Sequence, residues 1–442
     1  MGCDPAEHGS DREFGRFSQT EQTANSGEPN VAVVPAISVP SSVACLRSLG
    51  RIGVSTIAIS ELKRPPAFRS KYCDATVSVP SPHDDLLGYR DALLSLVARD
   101  DVGTVIPLRE EDVYVLAKYR SAFGRRVGTP WPSIETLSQV QDRIRLFQIA
   151  RDAGVPVPET RLLDEDAEWD REWIVKSRYA LIADEYVEGC SPGNCVAPPS
   201  TSYLPPGRIP DVESQVEAMG HTPLLQEYIP TNEEYAFFAM YNDGEEIASF
   251  QHRQRRGYSY TGGASAFRES IEDPDLELAG RTLLDALEWH GPAMVEFLRD
   301  ERTGQYRLME VNPRFWSSLP FSVRAGADFP AYYWWVATGN AHRIENEYDA
   351  GMAGHLIRGE LLYLRSVLRD DVELIDRPSF FTAVREIAAS VVDHPRFDYL
   401  TVDDPVPFVI DMANAFGSAT KSHVSTPAVT SGLTGASRKR TN

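Results

Sequence analysis

The chain has 442 residues, a net charge of −20, 42% hydrophobic and 10% aromatic residues, which leaves room for about two to four folding units with ordinary cores. So acidic a surface repels phosphate backbones and argues against nucleic acid as a partner. No apolar run approaches the roughly 18 residues of a membrane span, and the polar, acidic N-terminal stretch reads as no secretory signal, so a cytoplasmic enzyme is expected.

The cations are lopsided, with 38 Arg and only 6 Lys. High acidity with scarce Lys fits a halophilic protein, whose self-repulsion is screened by salt. An arginine-rich codon bias is the competing explanation. The five cysteines, at 3, 45, 73, 190 and 195, form neither a disulfide framework nor a zinc set and read as reduced thiols.

Residues 1–29 are rich in Ser, Glu, Asn and Gly and read as a disordered tail. Val31–Ile37 is an apolar run of strand length. Ser41 or Ser42 can then cap a helix that runs to Leu49 and stops at Gly50. Val54–Ile59 predicts a strand, Leu86–Ala98 a helix, Val102–Pro107 a strand, and Asp112–Phe123 a further helix. Strands alternating with helices imply a parallel sheet, with a ligand crevice beyond its strand ends near Pro35, Ser60 and Arg109–Glu111. A helix is expected over Ser138–Ala153, where Val140, Ile144 and Phe147 keep helical spacing. Strands then dominate: Trp173–Val175, Leu224–Ile229, Tyr235–Tyr241, Ala248–His252, Ala293–Leu298 and Tyr306–Val311, with one helix at Leu276–Trp289. Residues 346–415 form a smaller mixed segment without readable chemistry, and 416–442 read as a second loose tail.

Four features carry chemistry. The first is Met294-Val295-Glu296-Phe297 followed by Glu310-Val311-Asn312-Pro313-Arg314-Phe315, joined by a turn at Asp300–Gly304. A hairpin there brings Glu296 beside Glu310. Asn312 lies two residues after Glu310 and so on the same strand face. Three hard oxygen donors at one point suit Mg²⁺, and ionised acids inside apolar strands are otherwise costly. The second is Lys176, at the end of the apolar run Trp173-Ile174-Val175 and the only Lys between Lys118 and Lys421. A Lys kept in a chain that otherwise uses Arg points to a need for a compact ammonium, as in phosphate binding. Lys118 carries no such expectation, and Lys118→Arg should be nearly silent. The third is Leu224-Leu225-Gln226-Glu227-Tyr228-Ile229-Pro230 with Glu233 and Glu234 behind it, a strand able to offer main-chain groups to an adenine edge and a carboxylate to ribose hydroxyls. The fourth is the dense basic stretch His252-Arg253-Gln254-Arg255-Arg256-Gly257 before Thr261-Gly262-Gly263-Ala264-Ser265. It suits an anionic substrate or a transferring phosphoryl group, or equally an interface or surface loop.

Together, in this order, these features resemble the ATP-grasp superfamily over about residues 138–345, and Arg314-Phe315-Trp316 with the Thr-Gly-Gly-Ala-Ser block is similar to its carboxylate–amine ligase branch. The resemblance implies an α/β (α+β) chain: a parallel pre-ATP-grasp α/β domain at 30–135, a two-lobed ATP-grasp domain at 136–345 and a small C-terminal α/β segment. It implies ATP and Mg²⁺ as cofactors, with Mn²⁺ an allowed substitute. Lys176 and Arg143 would contact phosphates. Gln226, Glu227, Tyr228 and Ile229 would line the adenine pocket, and Glu234 would hold ribose. Glu296, Glu310 and Asn312 would hold the metal, and Arg314, with Arg256 of the basic stretch, would be the catalytic cations. The implied activity is ligation of a carboxylate, activated as an acyl phosphate, to an amine or thiol. A kinase-like phosphotransferase and a non-catalytic nucleotide-binding module are the alternatives. The partners are a small-molecule carboxylate and nucleophile, with no nucleic acid or membrane, and a homodimer is allowed. One departure stands out: Ser177–Ile209 has no tight glycine run where many members place a phosphate-covering loop.

Overall fold

A computed structural model describes residues 28–163, 168–231, 233–370 and 375–421. Cys3, the tail at 1–27 and the tail at 422–442 lie outside the described residues.

The first unit is a four-stranded parallel sheet in the order β3-β2-β1-β4, made of β1 (Val31–Pro35), β2 (Ser55–Ser60), β3 (Ala75–Ser78) and β4 (Val102–Val105). Strand β1 is buried along its whole length, as a central parallel strand covered on both faces must be. Around it lie α1 (Pro40–Arg51), α2 (Leu86–Val97), α3 (Glu110–Lys118) and the short α4 (Arg120–Phe123). Gly50 does not end α1; the helix runs one residue further and the left-handed residue is Gly53, with φ +84°.

The single helix expected at 138–153 is two, α5 (Ile134–Gln141) and α6 (Arg143–Asp152). Asp142 breaks it. Its carboxylate accepts the Ile144 N–H at 3.1 Å and the Arg178 guanidinium at 2.9 and 2.6 Å, so it caps a new helix.

A small antiparallel sheet follows, ordered β5-β10-β6-β9, from β5 (Thr160–Leu162), β6 (Trp173–Lys176), β9 (Ser202–Leu204) and β10 (Leu224–Glu227). Between β6 and β9 the pair β7 (Ile182–Ala183) and β8 (Cys195–Val196) forms its own ladder, and α7 (Val212–Met219) precedes β10. Trp173, Val175 and Leu225 pack with Leu204 and Met219 in a separate core on one face. Alternation therefore puts Ile174, Lys176, Leu224 and Gln226 on the other, because Lys176 pairs with Leu224 and Ile174 with Gln226.

The large antiparallel sheet has the order β15-β14-β11-β12-β13-β16. Its strands are β11 (Glu234–Asn242), β12 (Glu245–Ser259), β13 (Gly262–Ser270), β14 (Gly291–Arg299), β15 (Tyr306–Asn312) and β16 (Ala353–His355). The stretch His252–Gly257, for which substrate binding and an interface or surface loop were the alternatives, lies inside β12, and the Gly262-Gly263 block opens β13. Helix α8 (Pro274–Ala286) packs closely on one face: a Cβ on Gly280 would run into the Phe237 ring. Beyond β15, α9 (Leu319–Arg324) and α10 (Phe329–Ala337) bind the large sheet to the parallel unit. The Tyr333 hydroxyl donates to the Val105 carbonyl at 2.8 Å and the Phe315 N–H to the Pro107 carbonyl at 3.1 Å.

The C-terminal segment holds α11 (Ile357–Arg369), α12 (Phe380–Asp393) and α13 (Val406–Lys421), the last running six residues into the stretch read as tail. It ties the two larger parts together with buried charges. Arg268 of β13 grips Asp398 at 2.7 and 3.1 Å, and Arg47 of α1 reaches Asp404 at 2.9 Å. Among the described residues no helix is long and apolar enough to cross a membrane.

Candidate active site

A cavity of about 570 Å³ lies between the large sheet and the strand ends of the parallel unit. From the parallel unit come Ile37, Val39 and Ser41 after β1 and Leu108–Glu111 after β4; of the crevice expected near Pro35, Ser60 and Arg109–Glu111, neither Pro35 nor Ser60 lines it. The large sheet supplies a row running across its strands. The pairings Glu310 to Glu296, Glu296 to Ala236 and Ala236 to His252 put these four side chains on one face. Strand spacing of about 4.8 Å places His252 about 10 Å from Glu296.

Glu296 and Glu310 face each other on β14 and β15, and the Asn312 amide N–H group reaches both, at 3.0 and 3.5 Å. Burial, then Glu310 and Glu234, push the Glu296 carboxyl up to about 8. Burial also works to raise Glu310, but Arg143, Lys176 and Arg314 outweigh it and hold that carboxyl below its ordinary value. Two acids converging on one point, one of them driven toward the neutral form, are short of positive charge; this donor set fits a hard divalent cation such as Mg²⁺. Asn312 would present its oxygen after a turn of the amide, since Oδ1 now accepts from Arg314 at 2.9 Å. Among the described residues no group of three or more His, Cys, Asp or Glu side chains forms a metal cluster, so two carboxylates and an amide are the whole candidate set.

Cations flank this pair on both sides. Arg143, turned inward by the Asp142 break, donates to Glu310 Oε2 at 2.9 Å and to the Ser177 carbonyl at 3.1 Å; its buried Nε has no partner among the described residues. Lys176, at the end of β6, lies 5.6 Å from the Phe147 ring centre. Burial, then the Arg143 guanidinium, lower its ammonium to about 7 against the pull of Glu310 and Glu296. On the far side Arg314 donates to Glu110 at 2.8 Å, which ties the site to the start of α3.

Of the residues expected at the base and sugar, Glu234 lines the cavity; Gln226, Glu227, Tyr228 and Ile229 do not, and neither do Lys176 and Arg143. Gln226, fully buried, donates to Thr160 Oγ1 at 2.9 Å, and its Oε1 has no partner among the described residues. Glu227 instead accepts from Arg302 at 2.8 Å, and Ile229 is buried. The Tyr228 ring meets Tyr203 of β9 edge to face. Glu234 lines the cavity, accepts from Gln254 at 2.6 Å and is pushed up to about 7 by burial, with the Gln254 donor opposing.

Arg256 requires correction. Its guanidinium is bound to Glu360 of α11 at 2.8 and 2.9 Å, the partner of the buried His355, and it does not line the cavity. A half-satisfied buried cation would be costly, so this arginine is a structural joint. The residues of the basic stretch that do line the cavity are the uncharged pair His252 and Gln254. Burial, then Arg268, push His252 down to about 3, so it is a neutral imidazole. Glu110, His252 and Gln254 fall in stretches marked from sequence, the crevice at Arg109–Glu111 and the basic stretch, but their individual places at the cavity depend on which elements become neighbours. Lys118, expected to be an incidental cation, holds Asp184 at 2.7 and 2.8 Å.

No family model matches the sequence, and no curated protein matches it. Solved structures match the architecture. An N5-carboxyaminoimidazole ribonucleotide synthetase in its ADP complex is 15% identical, with 82% of this chain and 96% of that chain covered and a TM-score of 0.54. The biotin carboxylase domain of Hydrogenobacter thermophilus 2-oxoglutarate carboxylase, in complex with MgADP, ADP and bicarbonate, is 16% identical, with 73% of each chain covered and a TM-score of 0.53. The L-amino acid ligase of Bacillus licheniformis is 15% identical, with 74% of this chain and 78% of that chain covered and a TM-score of 0.51. This chain has the ATP-grasp fold. In ATP-grasp terms, the small sheet carrying Lys176 and the large sheet carrying Glu296 and Glu310 are the two lobes, and the parallel unit closes the far side of the cavity. At these identities the likeness is one of fold.

Proposed function

We propose that the protein is an ATP- and Mg²⁺-dependent ligase that activates a carboxylate as an acyl phosphate for attack by an amine or similar nucleophile. The observation that carries this reading is the facing pair Glu296–Glu310, with Arg143 bonded to Glu310 and Lys176 and Arg314 close enough to hold its carboxyl ionised, at a cavity that continues to the crevice of the parallel unit. Lys176 and Arg143 would bind the phosphates of ATP, Gln226 to Ile229 the base and Glu234 the ribose. Glu296, Glu310 and Asn312 would hold Mg²⁺, which supplies charge neutralisation between phosphate oxygens when bound.

A carboxylate oxygen of the substrate attacks the γ-phosphorus and the bond to the β-phosphate oxygen breaks, releasing ADP. The amine then attacks the acyl carbon, inorganic phosphate leaves with the bonding pair of the C–O bond, and the amine's proton passes to the departing phosphate. Lys176 and Arg314 would orient the transferring group from opposite sides, so the chain contributes position and charge rather than a protein nucleophile. Glu110, bonded to Arg314, would link occupancy of the parallel-unit crevice to the orientation of that guanidinium.

The test is ADP release from amino acids and other small acids offered in pairs at high potassium chloride, with hydroxylamine trapping and positional isotope exchange on the acid that responds. ADP release that needs both an acid and a nucleophile, with hydroxamate formed when hydroxylamine replaces the nucleophile, is expected. ADP release that ignores the nucleophile would mean phosphotransfer, and ligation without any trappable acyl group would overturn the mechanism.

A further inference from the structure

We infer that the Gly262–Gly263 backbone at the start of β13, next to the Tyr260–Thr261 turn of the β12–β13 hairpin, and not the segment after Lys176, is the element that covers the nucleotide phosphates. The inference rests on the ATP-binding reading above.

The segment after Lys176 is committed elsewhere. The Arg178 guanidinium is held by Asp142 at 2.9 and 2.6 Å. Asp184 accepts from the Lys118 ammonium at 2.7 and 2.8 Å and from the Tyr114 hydroxyl at 2.7 Å, both on α3 of the parallel unit. The Gly193 carbonyl accepts the Leu86 N–H at 3.2 Å, and the buried Cys195 lies against the Pro82 carbonyl at 3.5 Å. None of Arg178, Asp184, Gly193 or Cys195 lines the cavity. Drawing this strap over the phosphates would break several charge-assisted bonds at once.

The start of β13 has the opposite character. Three register shifts between Gln254 and Ser259 bend β12 against β13. The bend lays Gly262 against the Glu234 carboxylate: a Cβ on Gly262 would lie 2.6 Å from Glu234 Oε1, and one on Gly257 would lie 2.7 Å from the Gly262 carbonyl oxygen. Gly262 and Gly263 have φ of +107° and +91°, a region that favours glycine. Gly263 is exposed and lines the cavity, and a Cβ there would meet no protein atom within 4 Å, so the space above its backbone is open to a ligand. Two successive glycines at the start of β13 let phosphate oxygens reach main-chain N–H groups without side chains in the way. Their place beside Glu234 puts those groups over the chain that leads from ribose toward Glu296 and Glu310.

The experiment is calorimetry on the full chain with MgATP and with adenosine, for the parent, Gly263→Ala, Gly263→Asn and Asp184→Asn, each checked for an unchanged melting profile. Losing a charge-assisted contact should weaken MgATP by about tenfold or more in both Gly263 variants and leave adenosine unchanged. The Asn variant tolerates positive φ, so agreement between the two excludes backbone strain as the cause. Asp184→Asn should change MgATP affinity by less than about twofold. MgATP binding at parental strength by both Gly263 variants, equal weakening of adenosine, or a tenfold loss in Asp184→Asn would each overturn the inference. A parent chain that binds adenosine and MgATP not at all would overturn the ATP reading beneath it, a result distinct from the other three.

Discussion

Glu296 and Glu310 stand directly opposite each other across the β14–β15 ladder, and one amide, that of Asn312, reaches both. Like charges in this position repel, and an antiparallel pair normally avoids them. The pair is tolerable because Arg143, Lys176 and Arg314 surround it, and it becomes favourable once a dication sits between the carboxylates. Glu310→Gln removes the more acidic of the two and should abolish Mg²⁺-dependent ATP turnover while leaving the fold intact. ADP release titrated against Mg²⁺, beside circular dichroism, checks it; unchanged turnover at limiting Mg²⁺ counts against the assignment.

The Glu296 carboxyl, pushed up to about 8, gives the metal site a pH signature. Mg²⁺ binds the ionised form, so its apparent affinity should rise with pH and level off above about pH 8, each pH unit below that costing up to about tenfold. Without metal the sign for stability is reversed. A carboxyl whose folded value lies above the unfolded value of about 4.3 favours the folded state when protonated. That contribution is fully present below the unfolded value and is lost as pH rises through 8. Glu296→Gln should therefore melt higher than the parent at pH 8.5 without metal and gain nothing from added Mg²⁺. Calorimetric melts at pH 6 and 8.5, with and without Mg²⁺, settle it, and a metal-free melting point that falls in the variant sinks the account.

Lys176 should prove specific for an ammonium. Lys176→Ala is expected to weaken ATP binding by about 1.5–3 kcal/mol. Lys176→Arg should restore it only in part, because a planar fork must fit beside Phe147 and the Arg143 guanidinium. Since its ammonium is lowered to about 7, ATP binding at pH 8 should take up a proton, detectable as a buffer-dependent heat. Lys118→Arg is no control, because Lys118 anchors Asp184; Lys71, half exposed and 3.7 Å from Asp403, is the suitable one. Full recovery of affinity in Lys176→Arg would leave the scarcity of lysine without meaning.

Salt separates the two explanations of the acidic composition. If a net charge of −20 reflects life at high salt, the melting temperature should climb steeply from low to molar potassium chloride as surface repulsion is screened. A flat profile favours codon bias, and the exposed Arg pairs such as Arg99–Asp101 and Arg281–Glu246 would then contribute little at any salt.

What could be read in advance was what local pattern encodes. Glu296, Glu310 and Asn312 sit on a hairpin whose turn and alternation are contiguous in sequence, and Lys176 ends an unbroken apolar run. The basic stretch misled because its partners are remote: Glu360 lies 104 residues beyond Arg256, and no local signal distinguishes a charged loop from a charged strand awaiting a distant acid. The break at Asp142 was hidden because apolar spacing continues across it, and the Ile144 N–H and Arg178 contacts that mark the cap appear only in the folded chain. Strands β5, β7, β8 and β9 have two or three residues each, too few to show a period. The segment after residue 346 looked silent because its chemistry is architectural, in Asp398 and Asp404, which answer arginines on other units.

The Arg47–Asp404 pair spans 357 residues of chain, and Asp404 also accepts from Ser70 and the Lys71 N–H. During synthesis α1 is therefore made with a cation meant for burial whose counter-charge emerges 357 residues later. A ribosome-bound fragment of the parallel unit must keep Arg47 in water, with the floor of α1 unsealed, until Asp404 emerges. Asp404 is in this sense the latch of α1, and a ribosome stalled before residue 404 should leave an N-terminal unit open to protease at α1, whatever the condition of the sheets between.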